Sequence, residues 1–310
     1  MRLVFMGTPE TAVPTLRRCL EDGHEVVAVW TQPDRPAGRG NRLSASPVKE
    51  FALAHGLDVH QPAKIKTDEA RALFASHGAD ACIVVAYGRI LPASFLDAPR
   101  RGCINVHFSL LPKLRGAAPV NWAIVRGETE TGVTTMQMDE GLDTGPILLQ
   151  HKTTNGPRES APELMLRLSL SGAELLGETL KRLDEIEPRS QRDEYATLAP
   201  LLKREDGLIS WASDAFEIER RVRGFQPWPN AYTKYEAGRL VIWRALPEQG
   251  DAAGAGEGGT VVEAHGDNLR VACAAGTLLN VQEVQPEGKR RMSVRDFLNG
   301  SQVRAGSRLG

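Results

Sequence analysis

In its first half the chain alternates short, continuous apolar runs with stretches of helical spacing, and few folds accommodate that pattern. Residues 3–6 (Leu-Val-Phe-Met) make one run, ended by Gly7 and followed after Pro9 by a helix-like stretch to Leu20. Residues 26–31 make a second, with a loop rich in Pro, Gly and Arg behind it and a helical pattern over 47–55. Residues 81–86 (Ala-Cys-Ile-Val-Val-Ala) are strongly strand-like, and 103–106 is a further short run that leads into polar residues. A run without polar alternate positions suits a strand covered on both faces, and helical crossovers make such strands parallel. The pattern predicts a Rossmann-like, doubly wound α/β domain with a mainly parallel sheet, spanning 1–186 if the helical pattern at 161–183 is its last element.

The character changes at the polar stretch that opens with Glu187 and Pro188, and 187–205 reads as a linker. Beyond it, 214–222 is helix-like. Short β-rich segments follow at 232–235, 239–243, 260–264, 269–273 and 278–284, with turn signals between them. They predict a smaller β-barrel, OB-like, over 206–310. A chain of 310 residues is long enough for two such cores. The formal net charge of −1 excludes a molecule coated in positive charge, while leaving room for a local basic patch. Cys19, Cys82, Cys103 and Cys273 are scattered without a Cys-x-x-Cys pair, so buried thiols in a reducing compartment are expected and no metal site. The opening residues are too short an apolar run for a signal peptide, and no stretch approaches the roughly 18 apolar residues of a membrane helix. A cytoplasmic chain with no membrane partner is expected, and a monomer for want of any obvious association segment.

Three constellations could carry chemistry. Gly7-Thr8-Pro9-Glu10 follows the first strand but lacks Gly-x-Gly-x-x-Gly spacing, and no acid ends the second strand, so a dinucleotide site is disfavoured and Gly7 reads as a tight turn. Asn105 and His107 are alternate residues of a strand and share one face, at the end where open α/β sheets place their sites. A strand-end histidine is also commonly structural. Met138-Asp139-Glu140-Gly141-Leu142-Asp143-Thr144-Gly145 is an acidic loop between glycines. It is an ordinary turn unless it folds onto His107.

Taken in order, Asn105-x-His107, Ser109-Leu110-Leu111-Pro112 and then Asp143 in Gly-Leu-Asp-x-Gly resemble the formyltransferase family that uses 10-formyltetrahydrofolate. The similarity extends through residues 84–92 and 115–119, and covers essentially the whole chain. The resemblance implies Asn105, His107 and Asp143 as the catalytic set. It also implies a folate pocket at Tyr87, Gly88, Arg89, Ile90 and Leu91, with Ser109, Leu110, Leu111 and Pro112 close to the formyl group. The reaction is attack of an amine on a formamide-like carbonyl, which needs donors at the developing oxyanion and a proton acceptor. On that resemblance Asn105 and His107 are expected to supply donors and Asp143 to orient His107, with either His107 or Asp143 taking the amine's proton.

The acceptor is implied by further resemblance. Gln32-Pro33-Asp34-Arg35-Pro36-Ala37-Gly38-Arg39-Gly40 is similar to an insertion loop of the family members that formylate methionyl initiator tRNA. Gly224-Phe225-Gln226-Pro227-Trp228-Pro229 and the stretch Met292 to Leu298 are similar to their second domain. The loop carries Arg35, Arg39, Arg42 and Lys49 against Asp34 alone, which suits phosphate neutralisation. These four are the expected tRNA contacts, Arg39 foremost. Phe108 departs from the family pattern, where a small residue or proline is expected. It should point away from His107 and alter packing rather than chemistry. A nucleotide-linked amine as acceptor, or a non-catalytic RNA-binding role, are the alternative readings; the tRNA-type loop and the intact trio weigh against them.

Overall fold

The structure is a computed structural model that describes residues 1–37, 42–236, 238–250 and 257–310. The strands, in chain order, are β1 (Arg2–Gly7), β2 (Glu25–Trp30), β3 (Arg35–Ala37), β4 (Arg42–Ser44), β5 (Val59–His60), β6 (Ala81–Val85), β7 (Cys103–His107), β8 (Glu130–Gln137) and β9 (Ile147–Thr154), then β10 (Tyr232–Tyr235), β11 (Gly238–Gln249), β12 (Val261–His265), β13 (Asn268–Ala272), β14 (Thr277–Pro286) and β15 (Met292–Ser293). The helices are α1 (Val13–Glu21), α2 (Pro47–Ala54), α3 (Asp68–Ser76), α4 (Ala93–Leu96), α5 (Pro119–Val125), α6 (Ala161–Lys181), α7 (Ala215–Gly224) and α8 (Val294–Asn299). Two compact units emerge. One comprises Met1–Gly116, Glu130–Thr154 and Met165–Ala199, and the other Ala117–Thr129, Asn155–Leu164 and Pro200–Gly310.

The first unit is built on a seven-stranded sheet of order β5-β2-β1-β6-β7-β8-β9. Pairing is parallel from β5 to β7 and antiparallel from β7 to β9. The apolar runs fill the middle: residues 3–6 and 81–85 are buried throughout. Because β1 has β2 on one side and β6 on the other, the crevice beyond their C-terminal ends is the natural ligand position of such a sheet. Helix starts follow local chemistry, with Ser46 and Thr67 accepting from Lys49 N and Ala70 N at the first turns of α2 and α3.

The antiparallel strands β8 and β9 escaped the sequence reading for a physical reason. In β8 threonines interrupt the core positions: Thr131, Thr134 and Thr135 are buried beside Val133 and Met136. Two of these hydroxyls are satisfied, Thr134 by donating to Ser109 O at 2.7 Å and Thr135 by pairing with Thr179 Oγ1 at 2.8 Å. Hydroxyl-bearing residues hide the hydrophobic periodicity that marks a strand. Strand β9, at the sheet edge, buries little beyond its first two residues. Phe108 is buried, and with Val106 it lies against Gly172 of α6, where a Cβ would stand 2.9 Å from Val106 Cγ1 and 3.3 Å from Phe108 Cε1. The ring is thus on the helix side of the sheet, away from His107.

The second unit carries an antiparallel sheet of order β10-β11-β14-β13-β12, with β15 on β14. Helix α7, capped by Asp214 accepting from Glu217 N, buries Ile218 and Val222 in one core with Leu240, Ile242, Val271 and Val281. The C-terminal tail joins the two sheet edges. Val261 N donates to Ser307 O at 2.8 Å beside β12, and Gly310 N donates to Lys234 O at 3.0 Å on β10. That closure is the barrel-like element in the sheet, and it removes exposed ladder positions from both edges.

Among the described residues no helix is long and apolar enough to cross a membrane, and no three His, Cys, Asp or Glu side chains gather as a metal site. All four cysteines are free and buried. Burial pushes the Cys19 and Cys273 thiols up to about 12, so both are protonated and poorly nucleophilic at ordinary pH. At pH 8 the native protein is therefore expected to leave Cys19 and Cys273 unmodified by a disulfide reagent, while the guanidinium-unfolded chain reacts at all four. Peptide mapping that finds either residue labelled in native protein contradicts this.

Candidate active site

The three residues of the predicted catalytic set come together. Asn105 and His107 share one face of β7, and the loop between β8 and β9 brings Asp143 to both. Asn105 Nδ2 donates to Asp143 Oδ1 at 3.4 Å, and His107 Nδ1 lies 3.7 Å from Asp143 Oδ2. The His107 side chain is only 6% exposed and that of Asp143 14%. His107 Nε2 is 3.0 Å from the Leu114 carbonyl oxygen. With the proton assigned to Nε2, which donates to that carbonyl, Nδ1 is the nitrogen facing Asp143 and the site. The 3.7 Å separation exceeds a direct hydrogen bond but keeps the carboxylate charge beside the ring.

The acidic loop separates its carboxylates by task. Asp139 turns inward on the loop itself, accepting from Gly141 N at 3.0 Å and Thr144 Oγ1 at 2.8 Å, while Glu140 is exposed. Asp143 adopts a left-handed backbone (φ 54°), which costs an L-residue about 1–2 kcal/mol. Its Oδ2 accepts from Gly116 N at 2.8 Å. Gly116 must be glycine: its φ is +117°, and a Cβ there would stand 2.8 Å from Ala199 O.

The segment after His107 is held from below. Thr134 Oγ1 donates to Ser109 O and accepts from Leu111 N at 3.2 Å and Gln150 Nε2 at 3.0 Å, and Gln150 Nε2 also reaches Leu111 O at 2.9 Å. Ser109 is fully buried with its Oγ donating to Lys113 O at 2.6 Å, and Leu111 is buried too. Leu110 and Pro112 are partly exposed. Of this quartet, two side chains build the segment and two remain available to a ligand.

At the end of β6 the predicted folate residues divide likewise. Ile90 is 71% exposed, Gly88 is exposed, and Leu91 sinks into the core with Phe95 and Tyr87. Arg89 Nε donates to Gln32 Oε1 at 3.1 Å. The Tyr87 carbonyl accepts from Gln32 Nε2 at 3.1 Å and Thr8 Oγ1 at 3.2 Å. A cleft of about 460 Å³ opens here, at the ends of β1, β2 and β6, lined among others by Thr8, Gln32, Arg35, Ser46 and Gly88. Thr8 and buried Gln32, which line this cleft, were not among the expected site residues. Their signal was position alone, directly after β1 and β2.

The basic loop is partly accounted for. Arg35 is exposed and lines the cleft. Lys49 Nζ is paired with Asp34 Oδ2 and with Gln61 Oε1, each at 2.7 Å, so its charge is balanced within the fold. Hydrogen bonds from Gln61 and then Lys49 hold the Asp34 carboxyl below its usual range. Arg39 lies outside the described residues, as does the side chain of Arg42.

The Tyr87 hydroxyl is buried without a hydrogen-bond partner, and burial pushes it up to about 12. An orphaned buried hydroxyl costs about 1–3 kcal/mol. Tyr87→Phe is expected to raise the urea midpoint, or leave it level, with turnover preserved. A lower midpoint would reveal a partner that the hydroxyl needs.

The family described as formyl transferase matches residues 1–180, and its C-terminal domain matches 201–302. A methionyl-tRNA formyltransferase of Geobacter metallireducens is 47% identical over 312 residues, covering 100% of this chain and 99% of the relative. Another, of Acidobacterium capsulatum, is 51% identical over 314 residues, with 100% of each covered. Among solved structures, an N-formyltransferase from Helicobacter canadensis in complex with folinic acid and dTDP-3-aminofucose has a TM-score of 0.66 at 18% identity, covering 90% of this chain and 98% of that one. A methionyl-tRNA formyltransferase from Clostridium thermocellum has a TM-score of 0.55 at 18% identity, covering 79% and 93%. With a polar trio at the end of a parallel strand and a full-length match to both family regions, the chain belongs to the formyl transferase family.

Proposed function

We propose that this protein is a cytoplasmic enzyme that transfers the formyl group of 10-formyltetrahydrofolate to the α-amino group of methionyl initiator tRNA. The observation that carries the reading is the meeting of Asn105, His107 and Asp143, in a chain whose full-length relatives at 47% and 51% identity are methionyl-tRNA formyltransferases. The amine attacks the formyl carbon, the carbonyl oxygen takes on charge, and the bond from that carbon to the folate nitrogen breaks. Asn105, with the N–H that Asp143 does not use, donates to the oxyanion. The ring N–H of His107, expected at the oxyanion, is instead engaged by Leu114 O, so Nδ1 accepts the amine's proton. Asp143 steadies the resulting imidazolium, and the proton passes through water to the departing nitrogen.

Exposed Ile90, after β6, and exposed Leu142, next to Asp143, offer apolar cover for the flat heterocycle. The cleft at Thr8, Gln32 and Arg35 receives the aminoacyl end of the acceptor, with the basic loop on phosphates. Lys49 shapes that loop through Asp34, and exposed Arg35 meets the tRNA. Residues 206–310 supply further tRNA contacts through basic side chains such as Lys289 and Arg290, both exposed.

The direct test supplies the donor and either initiator or elongator tRNA charged with methionine, and measures formyl-methionine. Product with the initiator is expected; none overturns the reading. Asn105→Ala and Asp143→Ala should each lower turnover by at least about 10²-fold, the scale of one lost oxyanion donor. Near-normal turnover in either folded variant removes that residue from the mechanism. Raising salt should raise the KM for tRNA far more than that for the folate, because only the former depends on many phosphate contacts. An unchanged tRNA KM would refute the basic-loop contact.

A further inference from the structure

The stretch expected to be a linker runs along the back of the catalytic loop. Arg189 and Ile147 exchange two backbone hydrogen bonds of 2.8 Å just after that loop. Farther along, Arg115 N donates to Thr197 O at 2.8 Å and Ala199 N to Arg115 O at 2.7 Å, just before Gly116. Between these anchors stands Gln191. Its Nε2 donates to Asp143 O and to Gly145 O, both at 2.8 Å.

The amide cannot face the other way. Buried Arg115 donates from Nε to Gln191 Oε1 at 3.0 Å and from its other arm to Asp193 at 2.9 Å. A guanidinium only donates, so the amide oxygen must face Arg115, and both N–H groups must face the loop carbonyls. Those contacts grip the backbone on the residue that carries the strained left-handed conformation and on the glycine two positions later. The carboxylate of that residue faces His107, Asn105 and Gly116 N; the charges facing Gln191 are Arg115 and, through it, Asp193.

We propose that Gln191 is a positioning residue for formyl transfer: oriented by Arg115, it holds the Asp143 backbone so that the carboxylate stays within reach of His107 and Asn105. Nothing in the motif that marks the catalytic set contains it. The inference rests on the function proposed above, and it places the effect on turnover rather than on substrate affinity.

The test is a double-mutant cycle on the full chain, with formyl-methionine as readout and circular dichroism to confirm folding. Gln191→Ala is expected to lower kcat roughly 10- to 100-fold, the scale of a misplacement of about 1 Å, with KM for both substrates little changed. Gln191→Glu, which keeps the size but sets a carboxylate against two carbonyls, should fall at least as far. In an Asp143→Ala background Gln191→Ala should cost less than about twofold, because its only route to the chemistry is already gone. An equal cost in both backgrounds, a rise in KM with kcat intact, or wild-type kcat in both Gln191 variants overturns the proposal while wild-type activity upholds the assigned reaction. Absence of formyl-methionine from the wild type overturns that reaction and this inference together.

Discussion

The antiparallel pairing of β8 on β7 is the constraint on which the site depends. Its register sets Ile104 opposite Gln137 and His107 opposite Thr134. With that register Asn105 and His107 share one face of β7, Val106 and Phe108 take the other and meet α6, and the loop after β8 carries Asp143 to the first. A slip of one residue would exchange the two faces and bury the polar pair against a helix. Five parallel-paired strands make a robust sheet, but the reversal of direction after β7 is what sends an acidic loop back over the strand end.

Around that pairing the site is organised by polar groups whose bonding capacity is used in full. The Thr134 hydroxyl makes one donation and accepts twice, supporting both Ser109 and Leu111 of the segment after His107. Gln191 spends both amide hydrogens and its oxygen in the same manner. Satisfied buried networks of this kind leave a side chain few alternative positions, which suits a reaction whose groups must stand ready before the substrates arrive. Asp143, with two donors on its carboxylate and one on its backbone oxygen, is held in a conformation it would not choose alone.

Some of this was legible in the chain itself. Continuous apolar runs at 3–6 and 81–86 marked strands buried on both faces, although the second strand stops at Val85 and Ala86 is exposed, and the alternation with helical spacing marked their parallel arrangement. Segment 232–235 in the second unit was read with the bounds that β10 has. Alternation within a strand placed Asn105 with His107 and turned Phe108 away. Part of what escaped lacked a hydrophobic period: β8 with its buried threonines, the edge strand β9, and the polar stretch at 189–199; the short helices α3 and α5 escaped as well. Gln191 and Arg115 sit in surroundings that look solvated in one dimension and are half or fully buried in three.

Local period and motifs of fixed spacing were enough to mark the doubly wound first half, the second β-rich unit, the candidate trio and its family. Tertiary structure alone decided that Asp143 reaches His107, that Lys49 is balanced by Asp34, and that Gln191 stands behind the catalytic loop. These are contacts between residues 15 to 48 positions apart in the chain. No local propensity encodes them. They form because burial of the surrounding apolar surface brings the segments together, after which each polar group must find a partner or bear the cost of having none.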